Sequence, residues 1–351
     1  MKGYLGPYGT REKKSPACRA AASNRPSLIL FLALFVSILP AAAQTIHMPG
    51  NIAPGDPFLC WMASDRPVIS ASALLKSSDG KNLSSAESFF MPSEGEGYLY
   101  GFLLAVPIKA APGPGSLHVS AILDGNAAGS DPRDKAEVSA DFVIEAKKFM
   151  KEDIPLDKAN TAIRAKPDPA KTAESKVFAE IFDSRDPTAL FAMGPMVKPL
   201  SVAWRETAGF GDERRYIYDG GGGDSTIHGG IDLGAPTGSE VLACAPGRVV
   251  FAGLRIVTGN TLVLEHLPGL FSLYMHLSAI EAAEGDMVGG GEPIGRVGST
   301  GLSTGPHLHW EIRVGDVSVN PYYWLSRSLL SRPPLDKDAD SSKIKPPAEG
   351  R

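Results

Sequence analysis

Five of the seven histidines fall between positions 228 and 309, and two of them are one residue apart in His307-Leu308-His309. Ile312 and Val314 continue an alternating apolar pattern behind that pair, which predicts a strand. On a strand, residues two apart share a face, so both imidazoles project together while Leu308 and Trp310 face the other way. Upstream stands His228-Gly229-Gly230-Ile231-Asp232. An even spacing in extended chain again brings an imidazole and a carboxylate to one face, and the glycines leave room for close approach of an ion or a substrate. Two imidazoles and a carboxylate are the donor set of an open zinc site, with three protein ligands and a fourth position for water. Nitrogen and oxygen donors without thiolate suit Zn²⁺ better than Mg²⁺ or Ca²⁺, which take oxygen. No His-Glu-x-x-His segment occurs, which excludes the helix-borne zinc arrangement.

These residues lie in 195–325, where short strand-like runs are separated by many glycines. Within this region 8 Lys and Arg stand against 14 Asp and Glu. Asp219-Gly220-Gly221-Gly222-Gly223 lacks the following Gly-Lys-Ser/Thr of a phosphate loop and reads as a mobile loop at the rim of a groove. Ser299, Ser303 and Thr304 lack a Gly-x-Ser-x-Gly elbow and read as shaping the loop before the histidine strand. Residues 45–145 form a separate stretch: Leu117, Val119, Ala121 and Leu123 alternate with polar neighbours, as do Val138, Ala140, Phe142 and Ile144. With turn signals at Asp79-Gly80 and Asp124-Gly125, they predict a small antiparallel β-sandwich without a catalytic cluster, His47 and His118 each standing alone. Residues 146–194 read as a linker. Asp168-Pro169 opens an amphipathic helix in it, with an apolar stripe of Ala173, Val177, Phe178 and Ile181. This helix reads as a connector packed on a neighbour, not as an active element. The Pro-rich, charged tail 326–351 has no apolar period and is expected to be disordered.

Residues 1–43 read as an address. Basic residues precede the uncharged run Ser27–Leu39, and Ala41-Ala42-Ala43 follows Pro40, the pattern of a secretory signal, with an uncleaved anchor as the alternative. Cys18 precedes the apolar run, so it is not placed as a lipoprotein cysteine. The expected location is outside the cytoplasm, in the periplasm or cell envelope, with membrane contact only if this segment stays uncleaved. The chain of 351 residues has a net charge of −4, of which this segment carries +5 and the remainder −9. An acidic body argues against nucleic acid as a partner. Three cysteines make no disulfide framework; Cys60 and Cys244 either pair or stay as buried thiols.

Several motifs in order carry a family resemblance: H-G-G-I-D-L-G-A-P-T-G from His228, L-Y-M-H-L-S around His276, G-E-P-I-G-R-V-G-S-T-G-L-S-T-G-P-H-L-H-W-E from Gly291, and V-N-P-Y-Y-W-L from Val319. Residues 228–325 thereby resemble the lysostaphin-type, LytM-like zinc endopeptidases, which are murein hydrolases. The resemblance implies a mainly β fold, in which a C-terminal antiparallel β domain of duplicated-hybrid-motif type follows the β-sandwich and the helical linker. It implies one Zn²⁺ per chain held by His228, Asp232 and His309, with His276 and His307 as catalytic histidines; His266 lies outside the family pattern and is read as structural. The activity implied is hydrolysis of peptide bonds in peptidoglycan. Non-catalytic relatives that have lost ligands activate a separate cell-wall amidase, which is the alternative reading; here all five positions are filled. The N-terminal β domain would then serve an envelope protein partner.

Overall fold

The computed structural model describes residues 44–91, 97–124 and 134–330. The leader with Cys18, Gly125 of the second turn signal, and the tail beyond residue 330 lie outside the described residues. The described chain is mainly β, with two α-helices, and no described helix is long and apolar enough to cross a membrane.

The alternating runs near 120 and 140 become the long antiparallel strands Gly113–Leu123 and Lys135–Ile144. With Val68–Ser77 and two shorter strands they make a five-stranded sheet. Its inward residues, among them Leu117, Val119, Ala121, Phe142 and Ile144, meet a four-stranded sheet centred on Pro57–Ser64 and Tyr98–Ala105. Those two strands are covered on both faces, which explains their near-continuous apolar text. Phe58, Cys60, Met62, Phe102 and Leu104 point into the sandwich. The residues between them, Trp61, Leu99, Leu103 and Ala105, point out into a second core that they share with the C-terminal strands. His118 hydrogen-bonds with Ser116 at 3.0 Å, and the His47 ring meets Trp61 edge-on at 5.8 Å. Neither cysteine is paired: Cys60 and Cys244 are both buried and free.

The C-terminal sheet runs Arg205–Ala208, Gly230–Gly234, His307–Val314, Leu270–Leu277, Gly259–Leu267, Gly247–Arg255 and Met287–Val288 in spatial order, with Val317–Val319 added to the histidine strand. One face of its central strands, including Leu264, Tyr274, Leu308 and Trp310, fills the core shared with the sandwich. The other face presents Val263, Phe271, Leu273 and Met275.

Two helices precede this sheet. Asp157 caps α1 (Lys158–Ala165) by accepting from the Asn160 N–H at 2.8 Å. Asp168 caps α2 (Pro169–Asp183), accepting from Ala170 N–H at 2.9 Å with Pro169 in the first turn. The buried side of α2 is Phe178 and Phe182, while Val177 of the expected stripe is exposed. Two aromatic rings four residues apart bury more area than the aliphatic alternatives, and they turn the helix toward Phe251 and Phe271. The linker also contributes the strand Lys151–Pro155, parallel to Glu213–Ile217, which in turn pairs with Gly223–Ile227. Gly220, Gly221 and Gly222 all have positive φ and form the turn of this last hairpin, closed by Tyr218 N–H donating to Gly222 O at 3.1 Å. The glycine run expected as a mobile loop is therefore a hydrogen-bonded turn, because only glycine adopts three such conformations in a row cheaply.

His266 ends the strand Gly259–Leu267 in the core. Its Nδ1 donates to Pro246 O at 2.8 Å and its Nε2 pairs with Ser272 Oγ at 2.7 Å. Burial pushes its pKa down to about 4, whereas the unfolded chain titrates near the ordinary value of about 6.5. Above that pH both states are neutral. Below it the unfolded state takes the proton first, so stability falls between pH 6.5 and 4, by about 3 kcal/mol in total. Denaturant titrations at pH 7 and pH 4.5 should show this loss, and His266→Asn should flatten it.

Candidate metal centre

Asp232 sits mid-strand in Gly230–Gly234, directly opposite His309 of His307–Val314. His228 enters from the hairpin before that strand, its backbone N–H donating to Asp212 O at 2.9 Å and its carbonyl accepting from Gly211 N–H. Antiparallel pairing thus converts two distant sequence motifs into one cluster. His228 Nε2 lies 3.1 Å from Asp232 Oδ1 and 3.0 Å from His309 Nδ1, and His309 Nδ1 lies 2.9 Å from the same carboxylate oxygen. All three side chains are buried.

The outward nitrogen of each of these two histidines is engaged. His228 Nδ1 donates to Gly209 O at 2.7 Å, which fixes Nε2 as the inward lone pair. His309 Nε2 faces Glu311 Oε2 at 3.3 Å, leaving Nδ1 turned to Asp232. Carboxylate and carbonyl partners of this kind orient metal-binding imidazoles. Burial opposes charge on His309, but hydrogen bonds to Asp232 and Glu311 outweigh it and raise the pKa to about 9. Burial also works against the Asp232 carboxylate, and its close contacts with the His228 and His309 imidazoles outweigh that, holding the group well below the usual carboxylate range. The second oxygen of Asp232 accepts from Arg214 at 2.5 Å. This donor set fits zinc: two imidazole nitrogens and one ionised oxygen converge within 4.8 Å of one another, with no thiolate among them.

The glycines of His228-Gly229-Gly230 serve a different purpose from the one expected. A Cβ at Gly230 would stand 2.4 Å from Trp310 O and 2.8 Å from His309 Nε2, and one at Gly229 would stand 2.9 Å from Glu311 Oε1 and Ser318 Oγ. They admit the neighbouring strand and its carboxylate, not an ion or a substrate.

His276 and His307 stand beside this cluster, their ring centroids 4.8 Å apart. His307 Nδ1 donates to Gly305 O at 2.8 Å, and its Nε2 lies 3.8 Å from Asp232 Oδ1. His276 Nδ1 donates to Thr300 O at 2.8 Å. His276 is the one described non-glycine residue with positive φ, at 61°, a conformation that costs about 1–3 kcal/mol and is held where surroundings over-determine it. Here Thr258 O takes its backbone N–H at 2.8 Å. Burial, reinforced by the neighbouring imidazoles of His307 and His309, pushes the His276 pKa down to about 3. The loop carbonyls of Thr300 and Gly305 thus aim both rings.

All five residues singled out in the sequence come together on one wall of a cavity of about 560 Å³. Two further groups escaped sequence reasoning. Glu311 carried a signal, since His307, His309, Glu311 and Arg313 alternate on one strand face. Arg214 carried none, because its reach to Asp232 depends on a hairpin whose place beside the sheet only the fold reveals. The helix α2, read as an inactive connector, lines the same cavity through Phe178 and Phe182. Glu311 also accepts from Arg313 Nε at 2.6 Å and Ser318 Oγ at 2.7 Å. Glu311→Gln should therefore leave the chain folded and weaken zinc binding by about 10–100-fold in a chelator competition.

Residues 226–321 match Peptidase family M23. Over 95 residues the chain is 52% identical to the DD-carboxypeptidase/endopeptidase Mpg of Neisseria meningitidis, a match covering 27% of this chain and 22% of that protein. Over 123 residues it is 35% identical to the peptidoglycan DD-endopeptidase ShyB of Vibrio cholerae, covering 35% and 28% respectively. It is also 41% identical over 98 residues to the murein hydrolase activator EnvC of Escherichia coli, covering 28% and 23%. The chain thus spans only about a quarter of the length of these curated relatives.

Proposed function

We propose, from the match of residues 226–321 to peptidase family M23 and their similarity to a peptidoglycan DD-endopeptidase, that the chain is an exported zinc endopeptidase that cuts peptide bonds of peptidoglycan. The observation that carries the reading is the open three-donor cluster of His228, Asp232 and His309 with a second pair of histidines alongside. The chemistry zinc supplies when bound is Lewis acidity, which polarises a carbonyl and acidifies water.

The remaining work falls to the side chains. His276 and His307 have committed their Nδ1 protons to the carbonyls of Thr300 and Gly305, so each offers an Nε2 lone pair to the cavity. One of these accepts the proton of the attacking water. The Nε2–H so formed hydrogen-bonds the oxygen of the tetrahedral carbon and is then passed by the same histidine to the leaving amine, which restores the Nε2 lone pair. Arg214 keeps Asp232 ionised and oriented from the far side. Export to the periplasm or cell envelope is part of this proposal and is supported by the signal pattern read in residues 1–43.

Similarity to a murein hydrolase activator favours a second reading, a scaffold for a separate amidase that a partner engages through the N-terminal β domain. The filled set of donors and paired histidines speaks for catalysis instead. Purified peptidoglycan incubated with the zinc-loaded chain should release new peptide fragments identifiable by mass. His309→Ala should lose both zinc and products, whereas His307→Ala should keep one zinc and lose turnover by about 10²–10⁴-fold. A zinc-free His307→Ala, or fragments from His309→Ala, would contradict this division of labour.

A further inference from the structure

The cavity extends past the five central residues along α2. Two guanidinium groups stack there on the helix aromatics: Arg255 lies 3.6 Å from the centroid of the Phe178 ring, and Arg313 lies 4.6 Å from that of Phe182. Stacking uses the flat face of a guanidinium and leaves its edge N–H groups for hydrogen bonds. Arg313 directs its Nε to Glu311 at 2.6 Å. Arg255 has no such outlet. Its Nε is buried and finds no hydrogen-bond partner among the described residues, and its side chain is only 13% exposed. That Nε does form a long ion pair with Glu174 Oε2 at 3.7 Å, beyond hydrogen-bond length, and both carboxylate oxygens of Glu174 are within hydrogen-bond reach of the Ile256 N–H. Burial lowers the Arg255 pKa more than Glu174 restores it, so this cation is under-compensated. The Nε of Arg214, which lines the same cavity, is likewise buried without a hydrogen-bond partner among the described residues.

A buried donor left unpaired is costly, and native proteins keep few of them. We infer that Arg255 anchors a free carboxylate of the peptide that enters this groove, with Arg313 reinforcing the positive field beside it. The inference rests on the peptidase reading and narrows it to acidic peptides. A planar, multidentate guanidinium matches a carboxylate better than a neutral amide, which offers less charge and a single acceptor oxygen. The distance also suits a peptide. His309, Glu311 and Arg313 follow one another on a strand face, so Arg313 lies about 13 Å from His309 along the strand. An extended peptide of about four residues, or fewer with an acidic side chain reaching outward, covers that span. Arg255 approaches from the Gly247–Leu267 hairpin on the far side of Leu270–Leu277, three residues before Thr258, whose carbonyl holds the His276 backbone.

Binding, measured apart from turnover, tests this. Soluble muropeptides released by a muramidase, either native or with their carboxylates amidated, are titrated into the chelator-treated chain, so that no hydrolysis intervenes. The native forms should bind at least about tenfold tighter than the amidated ones. Arg255→Gln should bind both forms as weakly as the wild type binds the amidated one, and Arg255→Lys should recover part of the preference. Equal affinities in the wild type, absence of binding to either form, or an unchanged preference in Arg255→Gln would overturn the inference. The wild-type comparison decides the matter even if a variant fails to fold. Failure of the peptidase reading has a different signature: a zinc-loaded wild type that prefers native muropeptides yet releases no fragments from them.

Discussion

A carboxylate buried among histidines organises this molecule's chemistry. Asp232 carries a negative charge at a position where water cannot solvate it, and such a charge persists only if hydrogen bonds and opposite charge surround it. One of its oxygens lies against His228 and His309, and the other accepts from Arg214. Four segments are thereby obliged to converge: the strand of Asp232, the loop of His228, the histidine strand, and the hairpin that bears Arg214. What makes this cluster a candidate metal centre is its donor set, two imidazole nitrogens and a carboxylate oxygen converging within 4.8 Å of one another.

The elements ahead of this sheet take part in the site. The strand Lys151–Pro155 extends the small sheet that presents Arg214, and α2 packs Phe178 and Phe182 on Val263, Phe271, Leu273 and Met275, the last of which pairs with His309. Helix and histidines line one groove. Its chemistry changes along its length, from imidazoles and carboxylates at the centre to guanidinium groups stacked on aromatic rings beside α2. Further out, the four-stranded sheet of the sandwich shares its outward face with the core beneath Leu308 and Trp310. The side of the histidine strand opposite the site is therefore held by residues from the first third of the chain.

Much of the centre was legible in the sequence because strands obey a period of two. His307 with His309, and His228 with Asp232, were readable as face-sharing pairs before any fold was known, and the family motifs separated ligand from partner histidine. Glu311 lies in the same alternation, two residues past His309, but a carboxylate on a strand has many other uses and does not by itself mark a site. Arg214 was illegible, since nothing local says that a hairpin will fold over the cluster. The same limit applies to α2: its helical period and its Asp168 cap were readable, but which stripe turned inward depended on aromatic partners at Phe251 and Phe271. The glycines beside His228 marked a close approach, and only the register of the neighbouring strand shows that the approaching group is protein.

X-ray absorption at the zinc edge of the stoichiometrically loaded chain is the most direct measurement of the central claim. The account predicts one zinc per chain with two imidazole ligands, the remaining scattering from oxygen and none from sulfur. A sulfur ligand, a third imidazole or a closed shell of four protein donors would contradict a site built by His228, Asp232 and His309 with a position open for chemistry.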